Sequence, residues 1–274
     1  MKELQETKAK KIDLIAEIAG GHEGSIEHAL TLLDIASQQG ASSIKFQIYV
    51  ADDLCTRSHS DYEIFKSFEF ADSEWLLIRK RTRQLGLNLY VEIYGSESLR
   101  IAKILKADGI KIHPSDIGNV KFILEVSKET DILFLGVGGR KRIEIFEVIS
   151  SLRKGGYDGV LVIVTGYQLF PTPEDQHSLQ EISHFKNVYD DFDVKVCVAD
   201  HIDGSLTSAV IFPIAAIGAG ATFVEKHLTS DRSQEFEDYE AALNPSEFGH
   251  LSAYISSIEK INSPFPQWLS LIHI

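Results

Sequence analysis

Cysteine is scarce in this sequence, which limits the classes of protein it can encode. Only Cys55 and Cys197 occur among the 274 residues, and no CxxC pair is present. A disulfide framework needs several cysteines, and a zinc ribbon needs two closely spaced pairs. The sequence therefore implies neither.

Long apolar segments are also lacking. No run approaches the ~20 residues that a membrane-spanning helix needs. The N-terminal stretch MKELQETKAKK is charged and polar, and the apolar segment of a signal peptide does not follow it. These absences predict a soluble, cytoplasmic protein with no membrane partner.

Positive charge is in short supply. The chain has 27 lysines and arginines against 40 aspartates and glutamates, which gives a formal net charge of −13. An acidic surface repels a phosphate backbone, so we expect no nucleic-acid partner. A small anionic substrate is still possible, because a few lysines can form a local positive pocket.

What the sequence does contain is a regular alternation of short β-branched runs with longer amphipathic segments. This pattern predicts eight strand–helix units. Such alternation requires parallel strands, and eight units in about 250 residues suit a closed (β/α)8 TIM barrel, a member of the α/β class. The predicted strands are 12–18, 42–49, 87–94, 107–113, 131–137, 158–166, 193–200 and 221–227.

An open doubly wound sheet is the alternative fold, but the glycine-rich turn GxGxxG typical of its dinucleotide-binding form is missing after the first strand. We assign residues 1–262 to one barrel domain and 263–274 to a truncated tail. The last six residues, LSLIHI, match the translation of a transposase-adapter sequence used in sequencing libraries. We expect 269–274 to be adapter-derived rather than a natural apolar tail, and exclude them from fold reasoning.

Polar side chains recur where the predicted strands end. In a TIM barrel the chemistry collects at the C-terminal ends of the strands, and burying an unpaired charge is costly. Seven of the eight strands carry such residues, and the fifth supplies glycines, so we predict a shared pocket. The residues concerned are Glu17, Lys45, Gln47, Glu92, Lys111, His113, Gln168, Asp200, His201, Glu225 and His227.

Two histidines end neighbouring strands of the predicted barrel, His201 and His227. Two neutral imidazoles, with open positions filled by water or a substrate oxygen, suit a divalent ion such as Mn²⁺. Glu17, Glu225 or Asp238 would complete or orient the shell. The alternative is that the two histidines are pocket residues hydrogen-bonded to neighbouring carboxylates.

Two lysines, Lys45 and Lys111, end the second and fourth strands. Together they would form a cationic spot for a phosphate or carboxylate. The alternative is a structural role, with both lysines ion-paired to Glu17 and Glu92.

Seven blocks of sequence, in order, resemble the N-acetylneuraminate (sialic acid) synthase family, whose catalytic domain is a (β/α)8 barrel. The resemblance extends from about residue 12 to residue 248. The blocks are AEIAGGHEG (16–24), GASSIKFQ (40–47), IKIHPSD (110–116), FPTPEDQHSL (170–179), ADHIDG (199–204), GATFVEKHLT (220–229) and DYEAALNPSEF (238–248).

The resemblance implies a transferase that condenses phosphoenolpyruvate with an N-acetylhexosamine-type aldose. The products would be a nonulosonate-like 2-keto-3-deoxy sugar acid and phosphate. It also implies a divalent metal, Mn²⁺ or Mg²⁺, and, for a full-length member, a C-terminal antifreeze-like domain and a homodimer. The alternatives are a metal-dependent sugar aldolase or isomerase on the same barrel, and a non-catalytic sugar-binding barrel.

The resemblance also suggests roles for individual residues. His201 and His227 match the metal ligands, and the catalytic group comprises Glu17, Glu225 and Asp238. The expected substrate-binding residues are Lys45, Gln47, Glu92, Lys111, His113, Ser115, Gln168 and Asp200.

The sequence departs from the family pattern at several small hydrogen-bonding residues that help to hold phosphoenolpyruvate. Serines of the family align with Pro114, Gly136 and Ala199. Losing such donors is costly unless others replace them, and His113, Gln168 and Tyr167 are the expected replacements. We therefore predict a divergent subfamily.

Overall fold

The structure is a computed structural model that describes residues 11–261. The predicted tail, 263–274, and the end of the predicted barrel domain at residue 262 lie outside the described residues. Eight β-strands are present in the described part: β1 Asp13–Glu17, β2 Ser43–Gln47, β3 Asn88–Ile93, β4 Gly109–Ile112, β5 Ile132–Gly136, β6 Val160–Thr165, β7 Val194–Ala199 and β8 Phe223–His227.

The strands form one closed parallel barrel in sequence order, with β8 paired to β1. This confirms the predicted TIM barrel and excludes the open doubly wound sheet. The strands are buried on both faces, because helices cover the outside and side chains fill the inside. Near-continuous apolar runs such as VLVIVT in β6 are the sequence signature of that burial.

The helices lie between the strands, as the alternation predicts. Two short helices also lie in the segment that follows β2. The described helices are α1 Ile26–Gln38, α2 Ala51–Leu54, α3 Tyr62–Ser67, α4 Asp72–Leu85, α5 Ser96–Leu105, α6 Val120–Val126, α7 Arg142–Lys154, α8 Leu179–Val188, α9 Ser208–Ala219 and α10 Pro245–Ile261. None of the helices within residues 11–261 is long and apolar enough to cross a membrane.

A packed layer inside the barrel forms the floor under the site. Ile15, Tyr90, Phe134 and Cys197 belong to this buried cluster, and the Tyr90 hydroxyl donates to Asp13 at 2.7 Å. Side chains alternate along a strand with a period of two. Residues two positions further along therefore face the same interior, one layer nearer the C-terminal end of the barrel.

Candidate active site

Five charged side chains from five strands meet in the layer above this floor. The Lys45 ammonium lies 2.6 Å from a Glu17 oxygen, 3.1 Å from Glu92 and 3.0 Å from Glu225. The Lys111 ammonium lies 2.9 Å from Glu225 and 3.3 Å from Glu92. All five residues are buried. The strand register explains the convergence, because it pairs residue 17 with 45 and residue 92 with 111.

The sign of the charge in this cluster is negative, since two ammonium groups face three carboxylates and leave a formal charge of −1 (2 − 3). Burial alone would raise the pKa of Glu92, but Lys111 and Lys45 outweigh it and lower that pKa to about 2. The same lysines overcome burial at Glu225 and lower its pKa. The structure shows both lysines in ion pairs, and their role in binding a phosphate or carboxylate stays a prediction. A net cationic spot is not what these five residues form.

The two histidines expected to bind metal lie side by side at the mouth of the barrel. The ring centroids of His201 and His227 are 5.3 Å apart. Nδ1 of His201 donates to the backbone carbonyl of Tyr167, which fixes the tautomer and leaves Nε2 with its lone pair. Phe170 stacks on the His201 ring at 4.0 Å and meets the His227 ring edge-on at 5.5 Å.

These histidines fit a divalent metal as a pair of neutral ligands. Burial lowers the pKa of His201 to about 4 and that of His227 well below its usual value, so both rings are neutral at physiological pH. Residues 11–261 contain no group of three or more His, Cys, Asp or Glu side chains arranged to hold a metal. A metal here would therefore take the remaining ligands from water or substrate oxygen. Nδ1 of His201 bonds the Tyr167 carbonyl rather than a carboxylate.

A third expected catalytic residue, Asp238, lies beside the histidines, with an oxygen 3.8 Å from His227 Nδ1. Burial, with repulsion from Glu237 and Glu240, raises the pKa of the Asp238 carboxyl to about 7. A carboxyl with that pKa is suited to exchange protons at neutral pH.

The remaining predicted residues border the same mouth. Nδ1 of His113 accepts from the Ser115 backbone N–H at 3.2 Å and lies 2.9 Å from its hydroxyl oxygen. Gln168 and Lys111 line a small inner pocket between the ends of β4, β5, β6 and β7. Gln47 ends β2 two residues after the lysine of that strand, on the same face.

Comparison with known proteins identifies the group of proteins to which this barrel is related. A model of the NeuB family matches residues 32–264. The chain belongs to the NeuB family. This confirms the family resemblance and the predicted enzyme class, a transferase that forms a carbon–carbon bond.

Relatives and solved structures agree with this placement. An uncharacterised protein of Methanocaldococcus jannaschii is 26% identical over 93% of this chain and 73% of its own length. Pseudaminic acid synthase of Campylobacter jejuni is 27% identical over 87% of this chain and 71% of its own. In fold, the chain resembles N-acetylneuraminic acid synthetase from Leptospira borgpetersenii, with a TM-score of 0.86 and 24% identity over 96% of this chain and 90% of the other.

One residue predicted to bind substrate has other contacts in this NeuB barrel. Asp200 accepts from the Lys226 ammonium at 2.6 Å and from the Ile202 backbone N–H at 3.2 Å. The Asp200 and Lys226 side chains are fully buried. Strand alternation turns Lys226 away from the interior face that carries Glu225. These contacts give Asp200 a structural role, and the substrate role predicted for it stays a prediction. The ion pair ties β7 to β8 immediately before each histidine.

We predict that Lys226→Met destabilises the protein by about 3–5 kcal/mol, because it leaves the Asp200 carboxylate buried and unpaired. Asp200→Asn in the same chain should recover most of that loss, since the amide oxygen still accepts from Ile202 and carries no charge. Chemical denaturation of both variants measures the effect. Lys121→Met, which removes an exposed lysine from α6, is the matched control. Equal stability of Lys226→Met and the control would contradict the role of the ion pair.

Sequence reasoning missed the packing role of Phe170. The family pattern resembled by FPTPEDQHSL has tyrosine at this position, so the substitution by itself indicates only the loss of a hydroxyl group. In the structure the Phe170 ring contacts both histidines. An aromatic residue just after the sixth strand was the available signal, but its partner rings lie on other strands and no local pattern reveals them.

Proposed function

We propose that this chain condenses phosphoenolpyruvate with an N-acetylhexosamine-type aldose, giving a nonulosonate-like 2-keto-3-deoxy sugar acid and phosphate. Members of the NeuB family catalyse a phosphoenolpyruvate-dependent condensation of the sialic acid type, and this chain belongs to that family. The observation that supports the proposal for this chain is that two neutral imidazoles and a buried lysine–glutamate network lie together at the C-terminal end of the barrel.

The first step forms the carbon–carbon bond. Carbon 3 of phosphoenolpyruvate attacks the aldehyde carbon of the open-chain sugar, and the aldehyde oxygen takes up a proton to become a hydroxyl. A divalent cation, Mn²⁺ or Mg²⁺, held by His201 and His227 would supply Lewis-acid polarisation of that aldehyde. Positive charge then develops at carbon 2 of the former phosphoenolpyruvate.

Carboxylates of the network stabilise that positive charge. Glu225 stays ionised because Lys45 and Lys111 hold its pKa low, so it acts by electrostatics. Glu17 is next to it in the same network, bonded to Lys45 at 2.6 Å. Preorganised negative charge in a buried site costs no reorganisation when the cation forms.

Water completes the reaction. It adds to carbon 2 and loses a proton, and the bond from carbon 2 to the phosphate oxygen then breaks to give the ketone and free phosphate. We assign the proton transfer to Asp238, because its pKa of about 7 lies close to the working pH.

A phosphate-release assay tests the proposal. Purified protein is incubated with phosphoenolpyruvate, Mn²⁺ and each of a panel of N-acetylhexosamines, and the products are identified by mass. We expect phosphate release that needs both substrates and a product heavier than the sugar by the added three-carbon acid. Carbon–carbon cleavage or isomerisation without phosphoenolpyruvate would favour the aldolase or isomerase instead. Metal-independent sugar binding without turnover would favour the non-catalytic barrel. Either result contradicts the proposal.

A further inference from the structure

The phosphate of the donor needs cationic and hydrogen-bonding partners, of which the inner pocket of this chain offers few besides Lys111 and Gln168. Lys45 and Lys111 are committed to Glu17, Glu92 and Glu225 at 2.6–3.3 Å. A dianion placed against these ammonium groups would also meet the carboxylates, and like charges at short range repel.

The hydrogen-bond donors of the inner pocket are reduced as well. The pocket is lined by Pro114, Gly136 and Ala199 at positions where the family pattern has serine. None of these side chains can donate a hydrogen bond. Gln168 and Thr165 remain as side-chain donors in the pocket, and a further cationic partner would offset the three lost hydroxyl groups.

Two arginines lie in a cleft that continues outward from this pocket. The cleft, of about 570 Å³, runs between α7 and α8 and is lined by Arg140 and Arg142. Gly138 and Gly166 border both the cleft and the inner pocket, so the two spaces are contiguous. A side chain at position 138 would meet the Gly166 carbonyl oxygen at 2.1 Å, which explains why glycine stands where the two loops approach.

Arg140 acts electrostatically on Asp116 and Arg142 on Glu181, but neither arginine lies within ion-pair distance of these carboxylates. Within residues 11–261, Arg140 and Arg142 form no ion pair, whereas Arg79, Arg81 and Arg100 each do. Glu181 lines the same cleft, so the two guanidinium groups together leave a net positive charge there, on a chain whose net charge is −13. Guanidinium groups bind phosphate oxygens with two parallel hydrogen bonds, which makes arginine the residue suited to this ligand.

Arg140 also neighbours the residues expected to replace the lost serines. Burial raises the pKa of Asp116, while the charges of His113 and Arg140 act in the opposite direction. Both groups therefore lie close to the same carboxyl. His113 in turn interacts with Gln168, which lines the inner pocket.

We propose that Arg140, assisted by Arg142, binds the phosphate of the three-carbon donor at the junction of the cleft and the inner pocket. The guanidinium groups replace the hydroxyl donors of the family pattern. The released phosphate leaves through the same cleft. This inference rests on the proposed function, since it assumes a phosphorylated donor.

Variants of the three consecutive cations test the proposal. Arg140→Ala is expected to raise both the KM for phosphoenolpyruvate and the Kd of inorganic phosphate by ~10–100-fold, with the KM for the sugar unchanged. For Arg140→Lys we expect KM and Kd values between those of the parent protein and Arg140→Ala, because lysine keeps the charge but loses the paired hydrogen bonds. Lys141→Ala is the matched control: Lys141 lies between the arginines in sequence, is exposed and does not line the cleft.

Binding measurements distinguish a failure of this inference from a failure of the proposed function. Isothermal titration with phosphate alone and with phosphoenolpyruvate alone needs neither sugar nor turnover. Loss of phosphate binding in Arg140→Ala would support the inference even if no condensation were observed. Unchanged phosphate and phosphoenolpyruvate binding in the Arg140→Ala, Arg142→Ala double variant would overturn it. A rise in the KM for the sugar alone would also overturn it, by assigning the cleft to the acceptor.

Discussion

Glu225→Gln is expected to lower kcat by ~10³-fold while the protein remains folded. The Glu225 carboxylate bonds both Lys45 and Lys111, at 3.0 and 2.9 Å, and we assign it to the positive charge at carbon 2. Its amide replacement keeps the shape and removes the negative charge. Removing one preorganised charge from a transition state typically costs 10²–10³-fold or more. Steady-state phosphate release at saturating substrates measures the loss.

Two comparisons make this result specific. Glu125→Gln, on the exposed side of α6, removes a carboxylate remote from the site and should leave kcat unchanged. Glu225→Asp keeps the charge and should recover part of the rate. If Glu225→Gln binds both substrates, melts like the parent protein and turns over within threefold of it, the assignment of Glu225 is wrong.

Most of the fold followed from the sequence, because eight short apolar runs separated by helical patterns permit few other arrangements. The strand ends also predicted the convergence of Glu17, Lys45, Glu92 and Lys111, which contact one another at 2.6–3.3 Å. The short helices α2 and α3 could not be anticipated. They take their stability from tertiary packing, including the Tyr49–Phe65 ring contact at 6.0 Å.

The electrostatics of the site was harder to anticipate than its position. Lys45 and Lys111 would form an anion site by themselves only if the side chains around them were neutral. In the structure three glutamates surround the two lysines, so the net charge of the cluster is negative rather than positive. The period of two along a strand does predict that Lys226 and Glu225 face opposite sides of the sheet. The partner of Lys226, however, is Asp200, which lies 26 residues away in the sequence (226 − 200). Only the pairing of β7 with β8 in the structure reveals this contact.

The stretch Glu225–Lys226–His227 therefore combines two tasks on one strand. Its first and third residues face the interior, where one carboxylate completes the ion network and one imidazole adjoins His201. The middle residue points the other way and fixes the neighbouring strand through Asp200. Alternate side chains thus provide the chemistry and the rigidity that holds it, which is what a preorganised site requires.

His201→Ala and His227→Ala are each expected to raise the Kd of Mn²⁺ by at least ~100-fold and to reduce kcat/KM by ~10³-fold or more. The reason is the small number of protein ligands. Residues 11–261 contain no group of three or more His, Cys, Asp or Glu side chains arranged to hold a metal, so removing one imidazole takes away half of the histidine ligands. Loss of even an outer partner typically costs 10–100-fold in affinity. Electron paramagnetic resonance of free Mn²⁺ measures binding directly, independently of turnover.

His250→Ala is the control, because His250 is exposed on α10, and it should bind Mn²⁺ like the parent protein.

Phe170→Ala tests the orientation of the two histidine rings, His201 and His227, without removing either of them. Removing the ring that contacts both imidazoles frees their orientation without removing a donor, so a smaller loss of affinity is expected than for either histidine variant. If both histidine variants retain parental Mn²⁺ affinity and full activity, these residues are pocket histidines. The proposal would then lack its Lewis acid.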